Sequence, residues 1–320
     1  MNDILKKISD IGIVPVVVLD DAKDAKPLAK ALIDGGLPCA EVTFRTDAAE
    51  ESIRIMAKEF PEMLVGAGTV LTTDQVDRAV NAGAKFIVAP GFNEKIVCYC
   101  IKKGIPMVPG VNNPSNIEAA LELGLDVVKF FPAEASGGIN MIKAMAAPYT
   151  TVKFMPTGGI NAKNICDYLA FDKIIACGGS WMVKKDLIAD GKFDEIQKLT
   201  EEAVRTMLGF SLRHIGINCE NGDDAESIAD HFDTLFGFTK KVGNSSVFAG
   251  VEVEAMKSIG RGTHGHIAIG TNSVARAKNY LETVKHVNFI DESASYKNDK
   301  LTAIYMEGEL GGFAVHLVQK

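Results

Sequence analysis

Lys129 stands in the run Val127-Val128-Lys129-Phe130-Phe131-Pro132-Ala133-Glu134. A short apolar run of this kind reads as a strand buried on both faces. An amine held there, away from water, is disfavoured as an ammonium and can attack a carbonyl, the opening step of Schiff-base chemistry. The competing reading is a lysine at a strand end that carries its charge out to solvent along an apolar stem, and this stretch alone weighs the two equally. A second run, Glu41-Val42-Thr43-Phe44-Arg45, adds a carboxylate and a guanidinium. Strand alternation puts Glu41, Thr43 and Arg45 on one face and Val42 and Phe44 on the other, and it groups Val127, Lys129 and Phe131 in the same way. If the apolar faces meet outer helices, then Glu41, Arg45 and Lys129 point inward and converge. A Glu41–Arg45 pair that only neutralises itself is the bland alternative. The cost of burying three ionisable groups favours a functional site.

Two glycine pairs suggest a different chemistry. Pro156-Thr157-Gly158-Gly159-Ile160-Asn161 and Cys177-Gly178-Gly179-Ser180-Trp181 each close an apolar run. Glycines let backbone N–H groups approach anionic oxygens, and helix N-termini add a favourable dipole.

The elements that must position these groups form a repeat. Apolar runs begin near Ile13, Cys39, Met63, Lys85, Ile105, Asp126, Val152 and Lys173, at gaps of 26, 24, 22, 20, 21, 26 and 21 residues. Amphipathic stretches such as Asp24–Ile33, Asp47–Glu59 and Thr73–Ala82 lie between them. Each gap holds one strand, one helix and two short loops, and eight such units predict a (β/α)8 TIM barrel. A doubly wound sheet would carry a Gly-rich turn after its first strand, whereas this chain has Pro15-Val16-Val17-Val18-Leu19-Asp20-Asp21 there. In a barrel the two glycine pairs follow strands seven and eight, where phosphate is often held.

Composition narrows the function classes. The 320 residues carry a net charge of −7, which argues against a nucleic-acid surface, and 47% hydrophobic content suits a globular enzyme. No apolar run approaches the roughly 20 residues of a membrane span, and the N-terminus lacks the hydrophobic core of a signal peptide. Six scattered cysteines without a Cys-x-x-Cys pair point to neither a disulfide framework nor a cysteine zinc site, and suit a cytoplasmic location.

The segments Glu41-Val42-Thr43-Phe44-Arg45-Thr46, Gly66-Ala67-Gly68-Thr69-Val70, Ala89-Pro90-Gly91, Lys129 to Glu134, Pro156 to Ile160 and Gly178-Gly179-Ser180-Trp181 occur in an order and spacing that resembles the 2-keto-3-deoxy-6-phosphogluconate / 4-hydroxy-2-oxoglutarate aldolase family, over residues 1–207. The resemblance implies a class I aldolase, typically a homotrimer, acting on small keto acids without a metal or other cofactor. It implies Lys129 as the Schiff-base lysine and Glu41 as the general acid/base. Arg45, Thr69, Pro90 and Phe131 would hold the pyruvate portion, and Thr157, Gly158, Gly159 and Ser180 the phosphate. Phe44 stands where Leu is frequent and Ala89 where Ser is common. The products would be pyruvate with glyceraldehyde 3-phosphate or with glyoxylate. The alternative is a metabolite-binding or regulatory protein on an aldolase-like barrel, but decay should have removed Lys129, Glu41 or the glycine pairs.

The barrel is assigned to residues 1–208. A joint at Gly209–Leu212 then leads to a smaller α+β domain over 213–320. Arg213-His214-Ile215-Gly216-Ile217-Asn218 precedes a helix over Asp224–Phe236. Gly265-His266-Ile267-Ala268-Ile269-Gly270 precedes one over Ser273–Val284, with strands at Thr302–Glu307 and Gly312–Val318. Paired βαβββ units in this order resemble the vicinal-oxygen-chelate superfamily of glyoxalase I and extradiol dioxygenases. By that resemblance a divalent metal would lie on His214, Glu254 (or Glu252), His266 and His316, although His316 stands where Glu is usual. Strand histidines also serve as hydrogen-bonded core residues, and a binding or assembly module is the preferred expectation.

Overall fold

The apolar runs of the first two-thirds become short parallel strands: β1 (Ile13–Val17), β2 (Cys39–Thr43), β3 (Leu64–Gly68), β4 (Ile87–Val88), β5 (Met107–Val108), β6 (Gly110–Val111), β7 (Val127–Phe130), β8 (Lys153–Pro156) and β9 (Cys177–Gly179). The computed structural model describes Met1–Lys320 and separates into two units, Met1–Met207 and Leu208–Lys320. In the first unit the strands form one sheet in the order β5-β4-β3-β2-β1-β9 and another in the order β6-β7-β8. Isolated parallel bridges Phe154↔Ile174 and Thr157↔Gly178 link the second sheet to the segment that includes β9. The fifth run divides into β5 and β6 around Pro109, which has no N–H for a ladder but whose carbonyl accepts from the Lys129 N–H at 2.8 Å. The eighth run pairs with β8 from its expected start, where the Phe154 N–H donates to the Lys173 carbonyl at 2.7 Å, and β9 proper begins at Cys177.

Helices alternate with these strands. The amphipathic stretches fold as Ala25–Asp34, Ala49–Glu59 and Thr73–Ala82, the last capped by the Thr72 side chain, which accepts from the Gln75 N–H. The core cluster gathers Val14, Cys39, Leu64, Phe86, Val108 and Val127 with Leu5 and Ile8 of the first helix, Asp3–Ile11. These strand residues lie mostly at the amino ends, which leaves the carboxyl ends free for polar groups.

One element departs from the expected placement. β2 stops at Thr43, and Phe44 and Arg45 form a turn in which the Arg45 N–H donates to the Thr43 carbonyl at 2.8 Å. Arg45 is therefore an exposed residue at the strand's carboxyl end and does not point into the sheet interior.

The second unit contains β10 (Ser211–Asn218), a helix over Gly222–Phe236, β11 (Lys240–Val242), β12 (Ser246–Ala249), β13 (Val253–Met256), β14 (Gly265–Thr271), a helix over Val274–Lys285, β15 (Phe289–Lys297), β16 (Lys300–Leu310) and β17 (Phe313–Gln319). Its single mixed sheet runs β11-β12-β13-β10-β14-β17-β16-β15. In each half the first strand pairs in parallel with the last, β10 with β13 and β14 with β17, and an antiparallel β10–β14 pair joins the halves. The joint is shorter than the expected Gly209–Leu212. The preceding helix runs to Leu208, Gly209 takes a left-handed φ of 57°, and β10 begins at Ser211. No helix is long and apolar enough to cross a membrane.

Candidate functional site

Register brings the two central groups together. Glu41 on β2 pairs with Val16 on β1 and Gly66 on β3, while Lys129 on β7 pairs with Gly110 on β6 and Met155 on β8. Both side chains reach the interior, with Glu41 at 0% and Lys129 at 5% exposure, and Lys129 Nζ donates to Glu41 Oε1 at 3.2 Å. The other carboxylate oxygen, Glu41 Oε2, is buried without a partner. Such an orphan is costly in a fold and useful in a site, because it is free to take a proton. Phe131 lies with its ring centre 5.4 Å from the ammonium.

Glycines make the room. A Cβ on Gly68 would stand 2.2 Å from Glu41 Oε1, and one on Gly66 would stand 2.3 Å from the Phe86 ring. The Gly-Ala-Gly segment thus exists to let a carboxylate and a ring lie against the strand backbone. Near it, Arg45 Nε donates to Thr69 Oγ1 at 3.3 Å, and Thr69 holds a left-handed φ of 54°. Pro90 approaches through its backbone: a Cβ on Gly110 would fall 2.1 Å from its carbonyl oxygen.

A cleft of about 360 Å³ opens beside these groups, lined by Arg45, Phe131, Thr157, Gly158, Gly159 and Ser180 among others. Gly158 and Gly159 have φ of 101° and 82°, and Thr157 Oγ1 is buried and unpartnered. The segment after Lys129 holds this loop in place. The Ala133 N–H donates to the Thr157 carbonyl at 2.8 Å and the Glu134 N–H to the Gly158 carbonyl at 3.0 Å. The structure therefore gathers Lys129, Glu41 and Phe131 at one point and Arg45 with Thr69 at another. Thr157, Gly158, Gly159 and Ser180 form a third group, on the cleft wall. Sequence reasoning missed Lys184 and Lys185, which also line the cleft, because two lysines after an apolar run read as a solvated face. It also missed Glu134, whose side chain lies under Gly159 and accepts from the Tyr168 hydroxyl.

A separate cluster occupies one face of the second unit's sheet. His214 on β10, His266 on β14 and His316 on β17 place a ring nitrogen each within 4.8 Å of the others. His214 Nε2 lies 3.2 Å from His266 Nε2, and Glu254 Oε2 on β13 lies 3.2 Å from both. Glu252, the other candidate, is exposed and accepts from the Val251 N–H, so the carboxylate in the cluster is Glu254. Gly216 permits the arrangement, since its Cβ would meet the His266 ring at 2.1 Å. Burial works against the charge on Glu254. Hydrogen bonds from His214, His266 and Ser246 outweigh it and hold the carboxyl well below its usual range. Burial, with the neighbouring His266 and His214, pushes the His316 imidazole down to about 4, and both its ring nitrogens lack a partner. Ser246, Phe248 and Tyr305 surround the cluster and carried no signal in the sequence beyond their strand positions.

Known proteins resemble the first unit. The chain is 52% identical over 203 residues to a 2-dehydro-3-deoxy-phosphogluconate aldolase of Haemophilus influenzae, covering 63% of this chain and 96% of that protein. It is 44% identical over 192 residues to the KHG/KDPG aldolase of Escherichia coli K12, covering 60% and 90%. Among solved structures, a KDPG aldolase from Legionella pneumophila with pyruvate captured as a covalent carbinolamine superposes with a TM-score of 0.60 at 38% identity, covering 62% of this chain and 97% of that one. The model of the KDPG and KHG aldolase family matches residues 4–199. With a paired lysine and glutamate buried inside that stretch and a glycine-walled cleft beside them, the chain belongs to the KDPG and KHG aldolase family.

Proposed function

We propose that the first unit cleaves 2-keto-3-deoxy-6-phosphogluconate to pyruvate and glyceraldehyde 3-phosphate, or 4-hydroxy-2-oxoglutarate to pyruvate and glyoxylate, as a class I aldolase. The observation that carries this reading is the buried Lys129–Glu41 contact at 3.2 Å. The Lys129 amine attacks the C2 ketone, and loss of water leaves an iminium. The iminium accepts the electron pair of the C3–C4 bond as it breaks. Glu41, through its unpartnered Oε2, takes the C4 hydroxyl proton, and the aldehyde leaves. The remaining enamine is protonated at C3 and hydrolysed to pyruvate, which returns the amine. No step calls for a metal.

Arg45 and Thr69 hold the substrate carboxylate, the guanidinium matching it bidentately, while Pro90 and Phe131 wall the three-carbon portion. Thr157, Gly158, Gly159 and Ser180 receive the phosphate, supported by the left-handed glycines and the free Thr157 hydroxyl. Release of pyruvate from each substrate by the purified chain tests the reading, and no release from either refutes it. An intact Lys129–Glu41 pair favours catalysis over a purely metabolite-binding or regulatory barrel.

The two parallel sheets and the bridges at Phe154 and Thr157 support a closed (β/α)8 barrel. A homotrimer is the assembly proposed, to be measured by light scattering, and six free cysteines suit a cytoplasmic setting. The division of labour is a barrel over 1–208 and a second domain over 213–320.

The second unit is read as a vicinal-oxygen-chelate-like domain, supported by its two βαβββ halves with parallel first and last strands. His214, Glu254 and His266 would hold a divalent metal together with His316. Donors about 2.0–2.2 Å from one ion stand roughly 3.0–3.6 Å apart, and the three 3.2 Å separations fall in that range. The unpartnered nitrogens of His316 fit the same role. A bound ion would supply Lewis acidity. Elemental analysis after dialysis against Zn²⁺ tests this, with one ion per chain expected and none in the His266→Ala variant.

A further inference from the structure

A cation stands beside the histidine cluster of the second unit, and no carboxylate answers it. Arg261 lies on the connection between β13 and β14. That connection is pinned in place: Asn218 donates to the Gly262 carbonyl at 2.8 Å and accepts from the Gly260 N–H at 3.0 Å, while the N–H and hydroxyl of Thr263 donate to Glu309 at 3.1 and 2.9 Å. The Arg261 guanidinium lies 5.4 Å from the centre of the Tyr305 ring. Tyr305 in turn stacks on His316, with centroids 4.6 Å apart and planes at 20°, and meets His266 edge-on at 6.2 Å. Arg261 is thus one aromatic ring away from the cluster. It is exposed and in no ion pair, and Glu309, the carboxylate bound to the same connection, is taken up by Thr263.

Charge then decides what the site accepts. Glu254 is the one carboxylate among the four donors, and histidines ligate an ion as neutral imidazoles. A divalent ion would leave one positive charge uncompensated, and Arg261 adds another. The cluster is also reachable, with the His214 and Glu254 side chains 13% and 15% exposed, and its walls are the aromatic rings of Phe248 and Tyr305. We propose that this site binds a small 2-oxo or 2-hydroxy acid, its carboxylate selected by Arg261 and its adjacent oxygen directed to the ion. The inference rests on the metal reading above. It also gives the two units of one chain a common chemistry, because the reaction assigned to the first unit releases a 2-oxo acid.

The test uses the full chain loaded with Co²⁺, whose visible spectrum reports ligands of the ion itself. Lactate is the probe, since it has no ketone and cannot form a Schiff base with Lys129. Acetoin is the neutral counterpart. Lactate should perturb the cobalt spectrum at concentrations where acetoin does not. Arg261→Met should weaken lactate by about tenfold or more, the usual cost of losing a charge-assisted contact. Arg261→Lys should recover part of the loss. Retained Co²⁺ uptake in both variants shows that the domain is folded. Equal response to lactate and acetoin, or an Arg261→Met variant that binds lactate as the parent does, overturns the proposal while leaving the metal reading intact. Failure of the parent chain to take up Co²⁺ removes the metal reading and the proposal with it.

Discussion

Lys129 Nζ lies 3.2 Å from Glu41 Oε1, while Glu41 Oε2 is buried with nothing to bond. One carboxylate oxygen holds the amine in place and the other remains free to accept a proton. Glu41→Gln keeps the shape but removes the base. This variant should still form the pyruvate Schiff base yet lose about 10²–10⁴-fold in cleavage. Gly68→Ala should impair both steps, because its Cβ would fall 2.2 Å from Glu41 Oε1. Trapping and turnover measured side by side check the pair, and near-parent turnover in Glu41→Gln would contradict the assignment.

The cleft wall predicts which substrate suffers when the glycine loop changes. Gly159→Ala must place a side chain at φ 82° and within 2.5 Å of Glu134 Cγ, and Ser180→Ala removes a hydroxyl from the same wall. Both variants should lower kcat/KM for the phosphorylated six-carbon substrate about tenfold or more, with a smaller effect on 4-hydroxy-2-oxoglutarate, which brings no phosphate. Steady-state comparison of the two substrates reads the difference.

The second unit should weaken in acid in the absence of metal ions. His316 is held neutral, with its imidazole lowered from 6.5 to about 4 by burial and by His266 and His214. Between those values the unfolded chain binds the proton and the folded chain does not. Stability is therefore fully present above 6.5 and is lost as pH falls toward 4, by roughly 3 kcal/mol at the acid limit. Glu254, whose carboxyl is lowered, loses its contribution only at still lower pH. Thermal melts in EDTA from pH 7 to pH 4.5 should show the decline, and His316→Phe should flatten it.

Particular residues show what could be read from the chain. Alternation within Val127–Phe131 groups Lys129 with Val127 and Phe131, and the premise that the opposite face meets outer helices turns it inward. The same rule misplaces Arg45, because β2 ends at Thr43 and alternation has no meaning beyond the ladder. The division at Pro109 has a signal in the Pro109-Gly110 pair, a strand breaker inside an otherwise apolar run. Glu252 and Glu254 stand two residues apart, so strand periodicity could not separate them. Pairing did, by setting Glu254 opposite Gly216, whose missing side chain leaves space for His266. Arg261 sits in a connection without period, and only the fold brings it to Tyr305.

A chain ending at Leu208 should retain aldolase activity without added metal. Every residue assigned to that chemistry lies at or before Ser180, and the core cluster of the first unit is drawn from its own strands and first helix. Turnover within about threefold of the full chain is the expected result, a difference worth less than 1 kcal/mol. An inactive short chain rescued by adding back the second unit would make that unit part of the catalytic machinery.

Borohydride reduction in the presence of pyruvate, followed by peptide mass mapping, tests the central claim most directly. The account predicts a single covalent adduct on Lys129, absent from Lys129→Ala, because this lysine is the one buried against a carboxylate inside the sheet. An adduct that persists undiminished in Lys129→Ala, or that maps to another lysine in the parent chain, would contradict it.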